Sequence, residues 1–104
     1  MIYTEDCEHG PAIREQNRDA HLAYLDSKME ILIASGGLQD ETGKSIGACI
    51  LVDLDTLAEA QEFAAQDPFA IAGLFRTITI QRWNQFYLHG RKDRQPFHAL
   101  PPLD

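Results

Sequence analysis

Ser45-Ile46-Gly47-Ala48-Cys49-Ile50-Leu51-Val52-Asp53 is the stretch whose reading decides the fold. Ile46, Ala48, Ile50 and Val52 fall on one side of an extended chain, and Gly47, Cys49, Leu51 and Asp53 on the other. Side chains alternate between the two faces of a strand, and both sets here are mostly apolar, so the segment reads as a strand covered on both faces. Toward the N-terminus, Leu38 to Lys44, with Asp40 and Gly43, is a polar loop. Before it, Ile31-Leu32-Ile33-Ala34 is a brief apolar run ending at Gly36-Gly37, hence a strand running into a turn. Residues 13 to 29 read as a helix, opened by Gly10-Pro11 and dense in helix formers such as Ala20, Leu22, Ala23 and Leu25. Ile2 to Cys7 is a short strand. Toward the C-terminus, Asp55 or Thr56 caps a second helix over Leu57 to Gln66. Pro68 begins a short helical turn that Gly73 closes, and Leu74 to Trp83 is a last strand rich in β-formers, Thr77 to Ile80.

The order is β-α-β-β-α-β, which predicts an α+β, ferredoxin-like sandwich. Four antiparallel strands with both helices on one side leave the other sheet face bare. Such a face invites aggregation unless it is covered, so a homodimer joined sheet to sheet is predicted.

With 104 residues the chain holds one core. Residues 1–83 form the predicted domain and 84–104 an extended C-terminal tail, in which Pro96, Pro101 and Pro102 interrupt any periodicity. Phe86, Tyr87 and Phe97 give that tail anchors, so it is expected to lie against the body or another subunit. Residues 1–81 carry five Lys and Arg against fourteen Asp and Glu, and the net charge of the chain is −7. That balance speaks against nucleic acid or an anionic membrane as partner. No apolar run approaches the ~20 residues of a membrane span, and Met1 to Asp6 shows no basic segment followed by an apolar one. A cytoplasmic location is the expectation. Cys7 and Cys49 read as small buried residues. Cys7 and His9 are too few for a zinc site, and the remaining histidines share no helical spacing, so no metal is expected.

On the first helix, Arg14, Arg18, His21, Leu22, Leu25 and Met29 fall within one arc of about 100°. Leu22, Leu25 and Met29 suit a core. Two arginines and a histidine occupy the other half, where burial is costly without partners, so this end lines a polar pocket or frays toward water. Singly, the arginines are better explained as snorkelling past the rim. Asp67-Pro68-Phe69 places a carboxylate at a helix N-cap with proline in the first turn, an arrangement that structure alone explains. Beside a histidine, such an anion also fixes the tautomer that general-base catalysis uses. Asp6, at the end of the first strand, either faces a pocket or stops the strand, and the second reading is preferred. Gly36-Gly37 and Gly43 form no phosphate loop, and Ser35 and Ser45 lack a nucleophile elbow.

Three blocks bring the chain close to a known family. Arg14…Arg18-Asp19-Ala20-His21-Leu22 resembles the R-x3-R-x-x-H-L helix of the YciI-like proteins. Ser35-Gly36-Gly37-Leu38 is similar to their Ala-Gly-Pro-Leu turn, and Asp67-Pro68-Phe69-Ala70-Ile71-Ala72-Gly73-Leu74 to their D-P-[FY]-x-x-A-G-L segment. The resemblance runs from Ile2 to Trp83. Gly37 replaces the usual Pro, Ala48 a frequent Ser and Arg82 a Pro before the tryptophan. The resemblance implies a ferredoxin-like fold, a dimeric α/β barrel built on the open sheet faces, and a pocket in which His21 and Asp67 form a catalytic dyad with Arg18 near the site. One branch of that family removes chloride from a chlorinated hydroxyhydroquinone without a cofactor.

A small-molecule enzyme is therefore the expectation. His21 would serve as general acid or base and Asp67 as its orienter, for elimination, dehydrohalogenation or isomerisation on a small, anionic or phenolic substrate. Arg14 and Arg18 would attract that substrate, and no metal, nucleotide or flavin is implied. The alternative is a non-catalytic module that binds a small ligand or docks a partner.

Overall fold

The computed structural model describes residues 1–92. Gly10 sits against the end of strand β1 (Ile2–Asp6), where a Cβ would come within 3.2 Å of the Asp6 side chain. The missing side chain lets helix α1 (Gly10–Ser27) start there, with Pro11 in its first turn. Strand β2 (Leu32–Gln39) and strand β3 (Ser45–Val52) follow as an antiparallel pair. Between them the Asp40 carboxylate accepts from the Thr42 hydroxyl and from the Thr42 and Lys44 N–H groups, while Gly43 takes φ 85°. These bonds, led by the Thr42 hydroxyl, hold the Asp40 carboxyl below its ordinary range.

Thr56, not Asp55, caps helix α2 (Leu57–Gln66): its Oγ1 accepts from Glu59 N–H and donates to the Glu59 carboxylate. Pro68 pushes Asp67 into an extended conformation (φ −60°, ψ 128°), which ends α2 and opens the one-turn helix α3 (Pro68–Ile71). Gly73, at φ 80°, turns the chain into strand β4 (Phe75–Ile80).

The four strands form one antiparallel sheet in the order β2-β3-β1-β4, the ferredoxin-like arrangement. Ile2 pairs with Ile50 and Ile80, and with Leu25, Phe63 and Ala64 it makes the core between sheet and helices. The opposite face, which carries Tyr3, Cys49 and Leu51, holds no helix among the described residues. Gly47 lets β1 and β3 close up, since a Cβ there would meet the Thr4 backbone oxygen at 2.1 Å.

Three local expectations are corrected. Gly36 and Gly37 lie inside β2, paired with Cys49 and Ala48, because the ladder supplies the backbone partners that a turn would otherwise need. Leu22 and Met29 are exposed and only Leu25 of that trio enters the core: the inward face of α1 is centred on Gly10, Arg14, His21 and Leu25, and Met29 lies beyond the end of the helix at Ser27. Within the predicted tail, residues 84–92 include a hairpin of β5 (Tyr87–Leu88) and β6 (Arg91–Lys92), turning on His89 and Gly90 at positive φ. Pro96, Phe97, Pro101 and Pro102 lie outside the described residues. No helix among the described residues is long and apolar enough to cross a membrane.

Candidate active site

Phe69 is the plate on which the site is assembled. Asp67 caps α3 by accepting from Phe69 N–H (2.9 Å) through Oδ1, and the same oxygen lies 2.8 Å from Nδ1 of His21. The His21 ring stacks on Phe69 with centroids 4.0 Å apart and planes 13° from parallel, and Phe75 meets Phe69 edge-on at 6.5 Å. The Asp67 side chain is 3% exposed and that of His21 16%, so the anion is sealed and the imidazole has an outlet. An ionised carboxylate has only acceptors, so the bond directs the proton of a neutral imidazole to Nδ1 and leaves Nε2 with its lone pair. One turn further along α1, the Tyr24 hydroxyl donates to the Phe63 carbonyl (2.8 Å). Burial raises the Tyr24 pKa, and the negative charges of Asp67 and Glu62 add to the effect.

Arg14 and Arg18, four residues apart, have different roles. The Arg14 guanidinium forks onto Asp6, Nε to Oδ2 at 2.6 Å and Nη2 to Oδ1 at 3.1 Å, and Nη2 also donates to the Gly47 carbonyl at 3.2 Å. Its Cζ lies 5.3 Å from the Phe69 ring centre. Arg14 is thus a brace between α1, β1, β3 and α3, not a free cation awaiting a substrate. Asp6 is the buried partner in that brace; its position at a strand end masked the role. Arg18 is exposed on the side of α1 that overhangs the hairpin of β2 and β3. It borders a groove with Pro11, Arg14, Glu15, Lys44 and Ser45, and neither His21 nor Asp67 belongs to that lining.

The structure therefore brings His21, Asp67 and Arg14 around Phe69 and leaves Arg18 outside. Sequence reasoning gives Phe69 no role in the site, although the aromatic directly after Asp-Pro is the available sign, and for Asp6 it prefers a strand stop to a pocket-facing role. The Thr4 hydroxyl, on the same sheet face as Asp6, is buried with no hydrogen-bond partner among the described residues. No group of three or more His, Cys, Asp or Glu among the described residues is arranged to hold a metal ion, and Cys7 and Cys49 are free thiols.

Residues 1–84 match the YCII-related domain family. Among solved structures, the chain is similar to 5-chloro-2-hydroxyhydroquinone dehydrochlorinase from Burkholderia phenoliruptrix AC1100 in complex with 2,5-dihydroxybenzoquinone. The two are 27% identical with a TM-score of 0.70, over 79% of this chain and 89% of the other. No curated protein sequence matches.

Proposed function

Because this chain belongs to the YCII-related family, we propose that it is a small-molecule enzyme in which His21 is the general acid and base and Asp67 its orienter. The observation that carries the proposal is the 2.8 Å contact between His21 Nδ1 and a buried, helix-capping Asp67. With the Nδ1 proton committed to Asp67, Nε2 takes a proton from the substrate. The freed electron pair forms a new double bond and expels the leaving group with its bonding pair, or, where no leaving group is present, shifts a double bond whose far end takes the proton back from Nε2. Neither outcome needs a cofactor. The likeness to a dehydrochlorinase supports a small-molecule enzyme, and it favours a hydroxylated, halogenated aromatic ring as the substrate to try first. Among the described residues no helix covers the sheet face that carries Tyr3, Cys49 and Leu51, and we propose that a second copy of the chain covers it as a homodimer.

The test is chloride release from 5-chloro-2-hydroxyhydroquinone, followed by a panel of hydroxylated and halogenated aromatics. Wild type should turn over at least one member. His21→Ala should lose about 10²-fold or more in rate, and Asp67→Asn should fall in the same direction with its fold retained. Equal rates in wild type and His21→Ala would end the catalytic reading. Saturable binding with no turnover across the panel would favour a ligand-binding module instead.

A further inference from the structure

We propose that the groove between the first turns of α1 and the hairpin of β2 and β3 binds the oxyanion, a carboxylate or phenolate, of a small organic molecule between Arg18 and Lys44. The groove, of about 320 Å³, is lined by Pro11, Arg14, Glu15, Arg18, Lys44 and Ser45. Residues 1–81 carry only five Lys and Arg against fourteen Asp and Glu, yet three of those five border this one groove. Arg14 and Arg18 are neighbours by helical spacing, so the convergence that calls for an explanation is that of Lys44 with Arg18.

The three charges are not equivalent. Arg14 is neutralised by its fork onto Asp6, so it shapes the inner wall without spare charge. Arg18 and Lys44 form no ion pair among the described residues. They reach the groove from different elements, a helix and a hairpin end, so no helical spacing accounts for their convergence. Two acids face them. Glu15 lies in the lining itself. Asp40 stands in the turn before Lys44, its carboxylate already bonded to the Thr42 hydroxyl and to two backbone N–H groups. A guanidinium offers a carboxylate two parallel donors and an ammonium adds a point charge, while Ser45 supplies a hydroxyl. The volume suits one substituted ring and little more.

Arg18 precedes His21 by three residues, about 4.5 Å along the helix axis. Arg14, the inner wall, also lies over the Phe69 ring on which His21 stacks. An oxyanion held by Arg18 and Lys44 leaves the rest of its molecule to extend past Arg14 if it is to meet the imidazole, an orientation that the groove lining itself does not include. Only that orientation rests on the dyad proposal; the anion site stands apart from it.

Benzoate, added to the full chain and followed through backbone amide shifts, is the probe. Saturable shifts are expected around residues 11–18 and 44–45, weakening with salt, and benzyl alcohol, the neutral counterpart, should produce none. Lys44→Gln and Arg18→Gln should each weaken benzoate binding by about threefold to tenfold, and Glu15→Gln should tighten it. Circular dichroism checks that these surface variants keep the fold. Absence of saturation, shifts confined elsewhere, or equal affinity in wild type and Lys44→Gln would overturn the site. Chloride release in His21→Ala reports on the dyad alone and benzoate titration on the groove alone, so failure of one is distinguishable from failure of the other.

Discussion

Glu5 and Asp6 are neighbours on β1, and each pairs with an arginine, but on opposite sides of the sheet. The Glu5–Arg76 side chains are 38% and 65% exposed. Those of Asp6 and Arg14 are 4% and 14% exposed, joined by two bonds, with a third from Arg14 to the Gly47 carbonyl. An exposed pair exchanges water for a partner at little net gain, whereas a buried pair must recover the whole cost of desolvating two ions. A buried pair with every geometric requirement met is thus weak support for stability and better support for position. On this protein the position fixed is that of Phe69, and through Phe69 that of His21.

The largest expected effect comes from breaking the inner pair. Arg14→Leu leaves the Asp6 carboxylate buried without its partner and should cost about 3–5 kcal/mol of unfolding free energy in urea melts. Replacing both residues, Asp6→Leu with Arg14→Leu, should recover much of that loss, since no orphaned charge remains. A double variant as unstable as the sum of the singles would mean that the two do not act as a unit. The outer pair supplies the contrast. Glu5→Gln should change stability by less than about 1 kcal/mol, and salt should shrink even that difference. If Glu5→Gln costs as much as Arg14→Leu, exposure is not what separates the two sides of β1.

The same contrast explains what sequence could and could not disclose. The order of elements was legible because Pro68, Gly73 and the Asp40–Gly43 turn punctuate the chain wherever the backbone must change direction. Asp67 as a cap was legible for a local reason: a proline dictates the conformation of the residue before it. Asp6 was not, because an acid at a strand end looks alike in sequence whether it faces water or a buried arginine. Leu22 looks like a core residue because the apolar arc of the predicted helix is centred about 40° from the true inward face of α1, which follows Gly10, Arg14, His21 and Leu25, and Met29 does so because the helix ends at Ser27 before reaching it. Polar residues occupy that face, so a hydrophobicity pattern points to its edge. Gly36 and Gly37 suggested a turn, yet the β2–β3 ladder holds them extended.

Tyr24 carries the comparison from ion pairs to a neutral phenol on the helix-facing side. Burial first, then the charges of Asp67 and Glu62, raise its pKa, so the folded protein holds the phenolic proton more tightly than the unfolded chain does. The sign follows from linkage: the stabilisation is complete below the unfolded value, about 10, and is lost as pH rises through the higher folded value. Ionisation also removes the hydrogen that Tyr24 donates to the Phe63 carbonyl. The difference in Tm between wild type and Tyr24→Phe should therefore be constant from neutral pH to about pH 10 and shrink above it, the smallest of these effects. Asp67→Asn removes one of the charges that oppose Tyr24 ionisation, so in that background the shrinkage should still begin at about pH 10 but be smaller and level off at a lower pH. A Tm difference that holds steady through the alkaline range would show that Tyr24 exchanges its proton as freely in the folded protein as in the unfolded chain.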